Sequence, residues 1–151
     1  MIKYIKLITV IAMSFLYIKI GIKHFIDPNY FLNIMPPYLP FRESMVYISG
    51  FFEIYFGFLL LFKQYRYYAG WGLFVLLVLV FPANIYLAYS VEAQILLGVT
   101  PMQAIIRLPF QLPLLLLAYW HTRESNNISF FSKNGDFCLF FIFLVYNLIV
   151  L

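Results

Sequence analysis

Charge is scarce in this chain. Of its 151 residues, 11% are Asp, Glu, Lys or Arg, where a soluble domain carries about a quarter. Set against 64% hydrophobic residues, that scarcity excludes an ordinary water-soluble globule. Thiols are scarcer still. Cys138 is the single cysteine, so no disulfide can close within the chain and no chemistry needing two thiols can run in it. The basic residues never gather on one polar face. They fall at the ends of apolar runs, which argues against a nucleic-acid partner and for a topology signal. No flavin, iron–sulfur or haem signature is present.

What the chain has in abundance is long apolar runs. Four of them, 4–25, 45–62, 67–89 and 102–121, are each near the roughly 20 residues with which a helix crosses about 30 Å of hydrocarbon. Helix is the state these runs require, because an open strand would leave its amides unpaired in lipid. The 18 Phe and 13 Tyr suit lipid-facing and interfacial surface. The fold class is therefore all-α, a polytopic membrane protein built on a four-helix bundle, whose partner is the lipid bilayer. Residues 1–123 form that unit. Residues 124–151 add a polar linker and a short apolar tail, "FCLFFIFLVYNLIVL", that is brief for a span. Lys3 and Lys6 before the first run resemble the start of a signal peptide, but Lys19, Gly21, Lys23 and His24 follow it instead of a small-residue cleavage site, so the first helix is expected to be retained.

Lys and Arg set the orientation. Lys3, Lys6, Lys63, Arg66, Arg123 and Lys133 mark one side, and Arg42 is the clear loop cation on the other. The N-terminus is expected in the cytoplasm, with loops 27–44 and 90–101 outside. The first of these loops, "DPNYFLNIMPPYLPFRES", is rich in proline and aromatic residues. It reads either as an interfacial anchor or as a lid over the bundle mouth.

Polar residues inside the spans carry the functional signal, since each is costly in hydrocarbon. At a helical rise of about 1.5 Å per residue, Glu53 lies roughly 13 Å deep from the outer face, Lys19 roughly 10 Å, Asn84 and Arg107 roughly 7 Å, and Gln111 roughly 13 Å. His24 lies within about one turn of its helix end. All therefore fall in the outer half of the membrane, from four different helices. Ser49, Glu53 and Gly57 share one face, as do Arg107 and Gln111. Pro82, Pro109 and Pro113 bend or open the helices beside them. An unpaired carboxylate at this depth takes up a proton, so Glu53 is expected to be paired. Arg107, always charged and bidentate, is the preferred partner and Lys19 the second. His24 and His121 lie near opposite membrane faces and cannot share a metal, so no metal site is expected. His24 reads as a hydrogen-bonded interface residue.

The segments "GIKHF" (21–25), "NIMPPYLP" (33–40), "SGFFE" (49–53), "AGWGL" (69–73), "VFPANIY" (80–86), "RLPFQ" (107–111) and "AYWHTR" (118–123) together resemble the DoxX family of small bacterial membrane proteins. The resemblance covers about residues 10–123. It implies a four-helix bundle in the bacterial plasma membrane, with polar family positions at His24, Glu53, Asn84, Arg107 and Gln111. It also implies a link to quinone-dependent sulfur oxidation, for which the family is named. No cofactor is evident in the chain itself, and a quinone is the one the resemblance suggests. Three readings follow. In the first, the bundle binds a quinone, lipid or other small apolar molecule by its polar head at Glu53, Arg107, Gln111, Asn84, His24 and Lys19, or docks as an accessory or homo-oligomeric subunit; it is not an enzyme on its own. In the second, it is the membrane subunit of a quinone-linked oxidoreductase, and any redox centre comes from a partner complex. In the third, the charges only fix helix packing.

Overall fold

The computed structural model describes residues 2–123 of the chain, all in helices and short connections. The polar linker and apolar tail expected at 124–151 lie outside the described residues. Six helices follow one another: α1 (Ile2–Ile26), α2 (Pro28–Ile34), α3 (Arg42–Leu60), α4 (Arg66–Tyr89), α5 (Val91–Leu97) and α6 (Pro101–Thr122). Among them α1, α3, α4 and α6 are long and apolar enough to cross a membrane. Their boundaries match the four apolar runs to within a few residues.

Local chemistry explains the breaks. Asp27 caps α2 by accepting from the Tyr30 amide at 3.3 Å, and Pro28 occupies the first turn, where its missing N–H costs nothing. The helix stops before Pro36, with Met35 already extended. Ser90 caps α5, and Gly98 ends it in the left-handed conformation, φ 64°. Thr100 and Gln103 form a reciprocal capping box on α6, again followed by proline. The loops 27–44 and 90–101 thus each fold into a two-turn helix.

The long helices run alternately up and down. α1 packs mainly on α3, α4 mainly on α6, and α3 joins the two pairs through α4; α1 and α6 meet only sparsely. Glycine permits the tightest contacts. An added Cβ on Gly21 would stand 2.7 Å from the Gly50 carbonyl oxygen, and one on Gly70 would stand 2.8 Å from the Ala118 carbonyl oxygen. Small residues let helix backbones close in this way where no hydrophobic effect drives association. The main apolar core fills one half of the bundle, with Phe56, Leu60, Leu73 and Ala118 at 1% exposure or less. The opposite end is covered by α2 and α5, which touch each other, and α2 also contacts α1, α3 and α4. A smaller cluster of Leu87, Ala93 and Ala104 seats this cap.

The outer surface is apolar. Phe15, Phe110 and Leu116 are each about two-thirds exposed or more, at 71%, 67% and 68%. A surface of this kind is built for lipid, not water. The protein is an all-α membrane protein of four spanning helices with a helical cap at one end.

Candidate functional site

Toward the cap end lie the buried polar side chains of His24, Glu53, Gln94 and Gln111, whereas His121 and Thr122 are buried at the opposite end; the register of α1 against α3 decides how the first two meet. Gly21 and Gly50 face each other across the crossing. With no side chain at Gly21, His24 reaches down past Gly50, and its imidazole Nε2 lies 3.4 Å from Oε2 of Glu53. Both side chains are buried, at 5% and 8% exposure. The other ring nitrogen, Nδ1, is 2.8 Å from the Val46 carbonyl. A carbonyl can only accept, so Nδ1 carries a hydrogen. Ser49 Oγ, which donates to the same carbonyl at 3.0 Å, stands 3.3 Å from Nδ1. The ring of Phe31, from α2, stacks on the imidazole at a centroid distance of 3.4 Å. His24 is thus fixed in rotation and tautomer by α3 below and α2 above.

The contact to Glu53 is an ion-pair distance and not a directed hydrogen bond: Oε2 of Glu53 has no hydrogen-bond partner among the described residues. Two other buried oxygens share that condition, the Tyr17 hydroxyl and Ser14 Oγ. Tyr17 is within electrostatic reach of Glu53, and its Cβ abuts Gly57, one turn along α3. Ser14, Tyr17, Gly21 and His24 recur at helical spacing and are all buried on one stripe of α1.

A second pair joins α4 to α6. Asn84 Nδ2 donates to Gln111 Oε1 at 2.8 Å, and Gln111 Nε2 donates to the Leu77 carbonyl. Gln111 is buried and Pro82 lies in the same stretch of α4, where a proline ring loosens the ladder before it and leaves carbonyls open to side chains. A third group holds the cap. Arg107 Nη1, from α6, donates to the Tyr30 hydroxyl at 3.5 Å, and Lys23 Nζ, from α1, sits 3.3 Å from the centre of the Tyr30 ring. Tyr30 thereby links α2 to the two helices that otherwise barely touch. Arg42 adds a further tie, donating to the Leu32 and Met35 carbonyls at the end of α2. The connection 27–44 is therefore packed over the bundle mouth.

Of the residues expected at the site, His24 and Glu53 meet, Asn84 and Gln111 meet, and Arg107 joins the cap. Two expectations need correction. Arg107 does not pair with Glu53: it lies on α6, which makes no close contact with α3, and it is turned to Tyr30. Lys19 does not join the cluster either. It is exposed on the outside of α1, where a long apolar stem lets the ammonium reach toward the interface. Sequence reasoning missed Ser14, Tyr17, Tyr30 and Phe31. The first two carried a signal, their spacing from His24 along one helix face; the last two sit on a helix of seven residues, too short to show a period.

The chain belongs to a family described as a domain of unknown function (DUF8561), which matches residues 13–122. No curated protein and no solved structure matches it.

Proposed function

We propose that this chain is a DoxX-like membrane protein that binds a small apolar molecule, a quinone or a lipid, by its polar head at the capped end of the bundle. One observation carries the reading. The Tyr17 hydroxyl and Ser14 Oγ are buried on one stripe of α1 without hydrogen-bond partners among the described residues, and Glu53 Oε2, likewise without a hydrogen bond, has His24 Nε2 as its ion-pair neighbour at 3.4 Å. Buried polar atoms are nearly always satisfied, and leaving one unpaired costs about 1–3 kcal/mol. A ligand head supplies the missing hydrogen bonds, and its tail lies along the apolar outer surface of the bundle. α2 is the lid, held by Tyr30 and stacked through Phe31 on His24.

The protein resides in a bacterial plasma membrane with the N-terminus in the cytoplasm and the cap outside. Lys63 and Arg66, at the end away from the cap, support that orientation, and reporter fusions at positions 64 and 98 test it. The ligand is tested by native mass spectrometry of the protein purified from membranes. A co-purifying quinone or lipid, lost from a folded Glu53→Met variant, is the expected result. Wild-type protein that carries no such molecule under any mild extraction refutes the reading.

A further inference from the structure

A second polar group stands apart from the α1–α3 seam: we infer that Lys23 and Arg107, gathered on Tyr30, bind the phosphate of an anionic phospholipid whose acyl chains lie along the open side of the bundle between α1 and α6. This site shares no residue with the Glu53 seat and does not depend on it. The long helices follow one another round the bundle as α1, α3, α4 and α6, and the ring is least closed where α6 returns to α1. Cations of α1 set on aromatic rings bridge that gap at either end. Away from the cap, Lys6 Nζ lies 5.4 Å from the centre of the Trp120 ring of α6. At the cap, Lys23 Nζ lies 3.3 Å from the centre of the Tyr30 ring, whose hydroxyl accepts from Arg107 Nη1 of α6 at 3.5 Å. Roughly 25 Å of helix separates the two bridges.

One tyrosine thus holds two cations, and no acid of the protein neutralises them. Among the described residues no carboxylate lies within ion-pair distance of either. Asp27, the acid nearest to Lys23 in sequence, accepts from the Tyr30 amide at 3.3 Å. Tyr30 takes one of the five N–H donors of Arg107, and the others have no acceptor among the described residues. Cations and donors left in this condition beside lipid are costly. A phosphodiester answers both needs. It carries one negative charge, and its acceptor oxygens suit the fork of Arg107 and the point charge of Lys23. Basic sites between membrane helices hold lipid headgroups in this way. Depth agrees. Lys23 lies within one turn of the end of α1, and Arg107, about 9 Å inside the start of α6, reaches back up to Tyr30. Lys19, one turn below Lys23 and exposed, adds a third cation. Beneath the cations the surface turns apolar. Leu16 and Ile20 continue the Lys23 stripe, and Phe110 and Leu114 continue that of Arg107, none of them fully buried. That surface suits acyl chains and offers nothing to a free phosphate. A phosphocholine head would bring its own cation against Lys23 and Arg107, so the anionic head is preferred.

The test compares two lipids with identical acyl chains, palmitoyl-oleoyl phosphatidylglycerol and palmitoyl-oleoyl phosphatidylcholine. Each is titrated into the delipidated full chain in nonionic detergent with about 0.5 M ammonium acetate, which screens exposed surface charges. Bound lipid is counted by native mass spectrometry. The first phosphatidylglycerol is expected to bind at least roughly tenfold more tightly than the first phosphatidylcholine, the scale of one charge-assisted hydrogen bond. Arg107→Gln and Lys23→Gln each lower that ratio by at least roughly threefold. Lys63→Gln, which removes the same charge at the opposite end, changes it by less than about twofold. Thermal unfolding verifies that each variant is folded, and Lys23→Gln, at an exposed position, keeps the test open should Arg107→Gln fail to fold. Glycerol 3-phosphate in large excess leaves the lipid bound; displacement by it would assign the site to a free phosphate compound and overturn the lipid. Equal affinities for the two lipids, a ratio unmoved by Lys23→Gln and Arg107→Gln, or one lowered as far by Lys63→Gln, overturns the inference.

Discussion

Substituting Gly50 by alanine tests the crossing on which the site depends. A Cβ at this position would overlap His24 Cβ, stand 2.9 Å from His24 Cγ and 3.1 Å from the Gly21 carbonyl oxygen. These atoms are backbone or the root of a buried side chain, so none can swing away. Carbon atoms pack at about 3.5–4.0 Å, so α1 and α3 must part by roughly 1 Å. Overpacking of this kind costs about 1–3 kcal/mol, against about 0.8–1 kcal/mol regained in helix propensity when glycine becomes alanine. Because the overlapped atoms cannot move aside, the cost falls toward the upper end of that range, about 2–3 kcal/mol, and the net expectation is destabilisation by about 1–2 kcal/mol. Gly57→Ala is the internal control. Its Cβ would meet Ile18 Cγ1 and Tyr17 Cβ at 3.2 Å and the Ile18 backbone nitrogen at 3.3 Å, a milder overlap relieved by a shift of a few tenths of an ångström, so its cost is smaller than at Gly50. Thermal unfolding in detergent, read by circular dichroism, should rank Gly50→Ala below Gly57→Ala and wild type. The same separation draws His24 from Glu53, so Gly50→Ala should also weaken the coupling between these two side chains. A Gly50→Ala protein as stable as wild type would refute the glycine-mediated crossing and the placement of His24 derived from it.

Three further outcomes are expected. A double-mutant cycle on His24→Gln and Glu53→Gln should give a coupling of about 0.5–3 kcal/mol by unfolding, as for groups in direct contact; additive effects would mean the two do not interact. Tyr30→Phe removes only the long bond from Arg107 and should change stability by less than about 0.5 kcal/mol, whereas Tyr30→Leu also removes the ring beneath Lys23 and should raise amide exchange across Pro28–Ile34 by roughly tenfold. Unchanged exchange in Tyr30→Leu would show that Tyr30 does not hold the lid. A cycle on Asn84→Leu and Gln111→Leu should return about 0.6 kcal/mol, the usual worth of an interhelical hydrogen bond in a membrane, with zero coupling contradicting the 2.8 Å bond.

By itself, the sequence determined the class of this protein and the length of its spans. Bilayer thickness dictates both, and four apolar runs of spanning length meet that demand wherever the helices later pack. It also determined that His24, Glu53, Asn84 and Gln111 fall toward one end, because depth follows from counting residues along a helix. What it left open was which of them touch. Depth and face say nothing of neighbour order, and Glu53 could be matched to Arg107 only on the assumption that α3 and α6 adjoin. Only the tertiary structure decided otherwise. The close approach of Gly21 and Gly50 sets α1 on α3, brings His24 to the carboxylate, and leaves Arg107 across the bundle on α2. The physical reason is that backbone contact between glycines is specific in register, while the attraction of a cation for an anion is not.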